Sequence, residues 1–228
     1  MADDTLARLF WSRVDKSGDT PAQQSKRAGT WETLTWRQVG ETVREVALGL
    51  LALGRQKGEA VALLSASRAE WVQADFAIFS AGCMTIPIYP SYTPEQLAYI
   101  VNDSGAKTLI VEDPGQLAKA LEVRGKMDSL EQIVVIQGYE GHERSVHTWD
   151  ELRRMGRDNA ERLKSVLADR VASTRPEDVA TIVYTSGTTG PPKGVVQTHA
   201  NHVGSLNSVA QIIKIGSGDV HLLFLPLA

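Results

Sequence analysis

The chain has little of several things, and each scarcity excludes something. One cysteine, Cys83, stands among 228 residues, so no internal disulfide can form and a reducing compartment is the simpler setting. Its neighbours, Ala81-Gly82 and Met84-Thr85, make it a buried structural thiol rather than a nucleophile. There is no surplus of basic charge: 24 Lys and Arg against 27 Asp and Glu leave −3, which argues against a nucleic-acid partner or an anionic membrane surface. No stretch reaches the roughly 18 uninterrupted apolar residues of a membrane span. The opening Met1-Ala2-Asp3-Asp4 carries acid where a secretory signal carries positive charge. The expectation is a cytoplasmic protein, with peripheral membrane association left open. With 19 glycines and 9 prolines the chain is neither collagen-like nor low-complexity, and 43% hydrophobic residues suffice for a packed core.

What is present is punctuation for helices. A Ser or Thr followed three residues later by Glu or Gln satisfies two orphan helix amides reciprocally. Thr35 with Gln38, Ser67 with Glu70, Thr93 with Gln96 and Thr148 with Glu151 fit, and Pro94 adds a favourable first helical residue. The spacing predicts helices over Trp36–Leu53, Arg68–Ala81, Pro94–Asp103, Gly115–Val123 and Trp149–Leu167. In the first, Val39, Val43, Val46, Leu50 and Leu53 form one apolar stripe that Gly54 ends. β-Branched runs predict strands at Ala60–Leu64, Met84–Tyr89, Thr108–Val111, Ile133–Ile136 and Thr181–Tyr184. This alternation predicts a layered α/β fold with a mostly parallel sheet flanked by helices. Gly138–His147 reads as a surface loop and Asp169–Asp178 as a connector. The division expected is an N-terminal α/β lobe over 1–170 and the start of a second, incomplete lobe over 171–228.

The segment Thr181 to Asn201 carries the chemistry. An apolar run leads into Thr185-Ser186-Gly187-Thr188-Thr189-Gly190-Pro191-Pro192-Lys193-Gly194, and Val195-Val196 follow. Three glycines and four hydroxyls in these ten residues allow a tight curl whose amides point inward, a nest suited to phosphate oxygens. Lys193 adds a mobile positive charge, and Pro191 and Pro192 stiffen the return. The spacing is neither the G-x-x-x-x-G-K of the common NTPase loop nor the G-x-G-x-x-G of dinucleotide folds. Composition alone leaves two readings open, a phosphate-binding loop or a plain hairpin connection.

The stretch Tyr184 to Asn201 resembles the signature loop of the adenylate-forming superfamily. Ile86-Pro87-Ile88-Tyr89-Pro90, Tyr92 to Leu97, Asn102 to Lys107 and the closing Phe224-Leu225-Pro226-Leu227-Ala228 are similar to the same family. Gly190 to Gly194, with Thr198-His199 and the Leu-Pro-Leu-Ala ending, looks most like long-chain fatty acid-CoA ligases. The resemblance runs from about Trp31 onward. It implies that a carboxylate attacks the α-phosphorus of ATP, and that coenzyme A thiolate then displaces AMP from the acyl-adenylate. By the family pattern Thr188 helps hold Mg²⁺. Ser186, Gly187, Thr189, Gly190 and Lys193 cradle the β- and γ-phosphates, with Thr185 at the loop's entry. Lys193 and Thr188 are the expected catalytic pair.

Several family features have no counterpart in these residues: the histidine after the Leu-Pro-Leu-Ala segment, the Gly-x-Thr-Glu motif, the ribose-binding Asp and the small C-terminal domain with its lysine. The expectation is an N-terminal portion, inactive alone, with part of its sheet uncovered and so prone to form a homo-oligomer. Alternatives are a fatty acyl-AMP ligase that delivers to a carrier protein, and a non-catalytic nucleotide-binding or interaction module. His199 and His202, with Asn201 as candidate cap, open a helix and lack the further ligands a metal would need. His142, His147 and His221 are isolated. Trp31, Trp36, Trp71 and Trp149, at helix starts or on helix faces, read as packing residues.

Overall fold

A computed structural model of the chain describes residues 3–27, 29–185, 191–216 and 218–227. In chain order the elements are α1 (Leu6–Ser17), β1 (Pro21–Arg27), β2 (Thr30–Thr35), α2 (Trp36–Ala52), β3 (Ala60–Leu64), α3 (Ala69–Ser80), β4 (Met84–Ile88), α4 (Pro94–Ser104), β5 (Thr108–Val111) and α5 (Pro114–Glu122). A short 3₁₀ turn follows, and then β6 (Gln132–Val135), β7 (Val146–Thr148), α6 (Trp149–Asp158), α7 (Ala160–Ser173), β8 (Val179–Thr185), β9 (Lys193–Thr198) and α8 (His199–Ile212).

Seven strands form one sheet in the order β7-β6-β5-β3-β4-β8-β9, parallel except for the antiparallel pair β8/β9. The expected α/β layering with a mostly parallel sheet is therefore what the chain adopts. Strands β4-β3-β5-β6-β7 have the flavodoxin-like order 2-1-3-4-5, whose ligand-binding crevice lies at the carboxyl ends of the strands, where the winding reverses. Alternation along β3 splits its side chains between two cores. Val61 and Leu63 pack with Val39, Val43, Val46, Leu50, Ile78 and Leu152 on one face. Ala62 and Leu64 pack with Ile86, Ile88, Leu97, Ile100 and Leu109 on the other. Each fully buried aliphatic of this kind contributes about 1.5–3 kcal/mol. Cys83 is buried, as expected, and burial pushes its thiol up to about 12.

Helices α2 and α6 pack closely, and glycine makes the approach possible. A β-carbon at Gly156 would lie 1.9 Å from the Glu45 carbonyl oxygen, so no larger residue fits without moving a helix. Three of the four expected capping boxes form, at Thr35, Thr93 and Thr148. The fourth does not. Arg68 occupies the N-cap of α3 without a side-chain cap bond, and the Ser67 hydroxyl is engaged with Leu225 and Leu227.

Other departures have local causes. The helix expected over Trp149–Leu167 is two helices broken at Asn159, whose side chain donates to the Met155 carbonyl at 2.9 Å. The expected connector from Asp169 belongs to α7 as far as Ser173. The end of the expected loop, Val146 and His147, belongs with Thr148 to β7 and pairs with β6. Thr198, not Asn201, caps α8, and Asn201 is its reciprocal partner. Trp31 sits on β2 and is 59% exposed, whereas Trp71 and Trp149 are buried.

Candidate nucleotide-phosphate site

The site is built from the end of β8 inward. Thr181 donates from its hydroxyl to the Thr85 carbonyl at 2.8 Å, which ties β8 to β4 at their paired residues. Three residues on, Tyr184 is buried and held at both ends. Its hydroxyl donates to Asp103 Oδ2 at 2.6 Å, and its carbonyl accepts from the Tyr92 hydroxyl at 3.2 Å. The Tyr99 ring meets it edge-on at 6.5 Å. Burial, together with the neighbouring Asp103 carboxylate, drives the Tyr184 phenol above its ordinary value, so it remains a neutral donor.

Across the ladder Tyr184 faces Gly194 and Thr185 faces Lys193. A β-carbon at Gly194 would come within 2.8 Å of Ile182 Cγ2 and 3.3 Å of the Tyr184 ring, so glycine lets β9 close on the tyrosine. Directly opposed residues of an antiparallel pair lie about 4.5–5.5 Å apart at Cα. The two ends of the glycine-rich segment are thereby pinned side by side, with Thr185 and Lys193 both exposed at its mouth. Of the residues expected to bind phosphate, the structure brings these two together. Ser186, Gly187, Thr188, Thr189 and Gly190 lie outside the described residues.

Because β3, β4 and β8 run parallel in register, the mouth opens at the carboxyl edge of the sheet, level with the turns after β3 and β4. That edge is where open α/β sheets bind ligands. Two cavities lie elsewhere. One of about 580 Å³ is lined by Val14, Gly18, Arg37 and Arg44, and one of about 540 Å³ by Trp11, Leu48, Leu167 and Val171. Neither is lined by β8 or β9.

The histidines have structural surroundings. His199 is buried, its Nδ1 accepts from the Leu6 amide at 3.3 Å, and its ring meets Phe79 edge-on at 5.5 Å. Burial lowers it to about 4, and the nearby Asp178 carboxylate opposes that shift only in part. His147 pairs with Gln132 at 2.9 Å.

Tyr92, Asp103 and Tyr184 lie in stretches that carry the resemblance, but the reading from sequence gave them no individual role. Their contacts span 92 and 81 positions, and no local spacing announces such partners.

Thr185 and Lys193, the two described ends of the glycine- and hydroxyl-rich segment, thus stand paired at the carboxyl edge of the sheet. The family described as AMP-binding enzyme matches residues 10–228, and the chain belongs to that adenylate-forming family. It is 33% identical over 229 residues to the long-chain-fatty-acid–CoA ligase FadD15 of Mycobacterium bovis, an alignment that takes in 99% of this chain and 36% of that protein. Among solved structures it is similar to the anthranilate CoA ligase AuaEII in complex with anthranoyl-AMP, with a TM-score of 0.74, 26% identity, and coverage of 89% of this chain and 36% of that one. It is also similar to the long-chain-fatty-acid-CoA ligase FadD1 of Archaeoglobus fulgidus, with a TM-score of 0.71, 26% identity, and coverage of 90% and 39%. The chain spans about a third of the length of the curated relatives it matches.

Proposed function

We propose that the chain carries the phosphate-binding part of an ATP-dependent enzyme that activates a long-chain fatty acid. In the first step a carboxylate oxygen bonds to the α-phosphorus of ATP as the bond to pyrophosphate breaks. In the second, coenzyme A thiolate forms the thioester and AMP leaves. The observation that carries this reading is the hairpin geometry, in which Tyr184 and Gly194 hold Thr185 opposite Lys193 at the carboxyl edge of the sheet. Main-chain amides and hydroxyls of Ser186, Gly187, Thr189 and Gly190 would receive the β- and γ-phosphates, with the Lys193 ammonium at the exit. Fixed donors of this kind stabilise the charge of the transferring phosphoryl and the leaving pyrophosphate without reorganising.

Among the described residues no group of three or more His, Cys, Asp or Glu could hold a metal ion. Mg²⁺ would be carried largely by substrate phosphates and water, as is usual at nucleotide sites, with the Thr188 hydroxyl as the protein's contribution. When bound, the ion neutralises phosphate charge. The same reading takes 1–170 as the first lobe and 171–228 as the start of the second, with β8 docked on the first lobe's sheet through Thr181. The open edge of β9 and the apolar side chains exposed on α8 support self-association.

Calorimetry with Mg-ATP tests the nucleotide reading. Lys193→Ala removes one charged donor from an exposed position, and affinity should fall about tenfold or more while the unfolding midpoint stays unchanged. Equal heats for the two chains would contradict the reading.

A further inference from the structure

Helices α1, α2 and α7 meet around the cavity of about 540 Å³, within the roughly 300–1,000 Å³ of small-molecule sites. Its walls follow from helical spacing. Arg8, Trp11, Ser12 and Asp15 recur on one face of α1, and Lys164, Leu167, Ala168 and Val171 recur likewise on α7. Arg44 and Leu48, one turn apart on α2, close the third side. The floor is apolar: Leu48 and Leu167 are buried core residues, and Trp11 packs against the same cluster. The indole N–H of Trp11 donates to the Ser80 hydroxyl at 3.0 Å, which fixes the ring.

The rim sets the sign of the charge this groove accepts. Four basic side chains, Arg8, Lys16, Arg44 and Lys164, line it against two acidic ones, Asp3 and Asp15. Three of the four are already engaged. Arg8 donates to Asp4 and to the carbonyls of Val171, Ala172 and Thr174, Lys16 lies 3.6 Å from Asp3, and Lys164 donates to Glu161 at 2.6 Å. Arg44 differs. Its guanidinium lies 5.1 Å from the centre of the Trp11 ring, and it has no carboxylate within ion-pair distance among the described residues. A guanidinium held against an indole keeps its N–H fork for a planar anion. The Asp15 carboxylate on the same rim repels a highly charged head, which favours carboxylate over phosphate.

The groove also has a direction. Asp15, Lys16 and Arg44 line the neighbouring cavity of about 580 Å³ as well, which puts them at one end. Arg8, bonded to the Val171 and Ala172 carbonyls, marks the other. The seven steps from Arg8 to Asp15 rise about 10 Å along α1. We infer that this three-helix groove binds a free alkyl carboxylate, its head paired with Arg44 and its chain laid over Trp11, Leu48 and Leu167 toward Val171. No residue of β8 or β9 lines the groove, so its occupancy is independent of the nucleotide reading.

Calorimetry with sodium decanoate and with decan-1-ol, on wild type, Arg44→Gln and Ala168→Trp, tests the site. Arg44 and Ala168 are both exposed, so the variants should unfold at the wild-type midpoint. Wild type should bind decanoate about tenfold more tightly than decan-1-ol, and Arg44→Gln should remove that preference. Ala168→Trp fills the groove and should weaken both ligands about tenfold or more. In amide hydrogen exchange, decanoate should raise protection along residues 8–16 and 164–172 and leave 185–194 unchanged. No binding of decanoate to wild type, or binding that Ala168→Trp leaves intact, would overturn the inference. So would equal affinity for decanoate and decan-1-ol that Arg44→Gln does not alter.

Discussion

The body of the sheet, β3 to β7, and its far end, β8 to α8, are built by opposite rules. Every residue of β3 and β5 is buried, with helices over both faces, and α2 meets α6 through glycine. On β9, by contrast, residues 193–196 are all exposed, and of α8 only His199 is buried. The lesson is a division of labour. The tightly filled half supplies a rigid edge, and the thinly covered half presents the hairpin that leaves Thr185 and Lys193 exposed. It stays in place through a few pins: Thr181, Tyr184 and His199.

The largest effect that would test this contrast is on the filled side. Gly156→Ala puts a methyl group 1.9 Å from a backbone carbonyl, and urea unfolding should show a loss of about 3 kcal/mol or more. A loss below about 1 kcal/mol would mean that the α2/α6 contact is looser than described.

The next effect is read from pH and concerns one of the pins. His199, held to about 4 in the folded state against 6.5 ordinarily, binds fewer protons folded than unfolded between those values. Its contribution is complete above pH 6.5 and is lost as pH falls toward 4, by an amount on the order of 3 kcal/mol. Asp75 works the other way. Burial of its carboxyl, only partly opposed by the Thr85 hydroxyl that donates to it at 2.6 Å, raises it to about 7 from 3.8. Its contribution is therefore complete below pH 3.8 and is lost as pH rises through 7. The two offset each other in wild type. Wild type should therefore change little between pH 6.5 and 4, whereas His199→Gln should gain stability on acidification over that range and Asp75→Asn should lose it, both read from urea midpoints against pH.

The smallest effect has the opposite sign. A β-carbon at Gly204, on α8, would have nothing within 4 Å, so Gly204→Ala should stabilise by about 0.5–1 kcal/mol through helix propensity alone. Destabilisation there, seen as a lowered melting temperature, would show that α8 is packed after all.

Much of the filled half was legible in sequence because its signals are local. The buried runs Ala60–Leu64 and Thr108–Val111 are strands at the expected residues, and three threonine caps lie where their glutamine or glutamate partners fall at the third position. Elements without such signals escaped. The β1–β2 hairpin is polar along Pro21–Arg27 and has no apolar run to betray it. In α1, Thr5 caps the helix, but the third position is Arg8 rather than Glu or Gln. Helix α8 was expected from its start near His199, but its Thr198 box was not, because Asn201 stands in place of the usual Glu or Gln. At the site, composition marked Thr185 and Lys193. The contact that supports them, Asp103 beneath Tyr184, is joined only by the folded topology.

The central claim is that nucleotide phosphates lie in the turn between Thr185 and Lys193. Amide hydrogen exchange of the chain with and without Mg-ATP addresses it directly. Protection should rise across residues 185–194 and stay unchanged along β5 and β6. Protection that rises elsewhere, or no change at 185–194 at saturating nucleotide, would contradict the account.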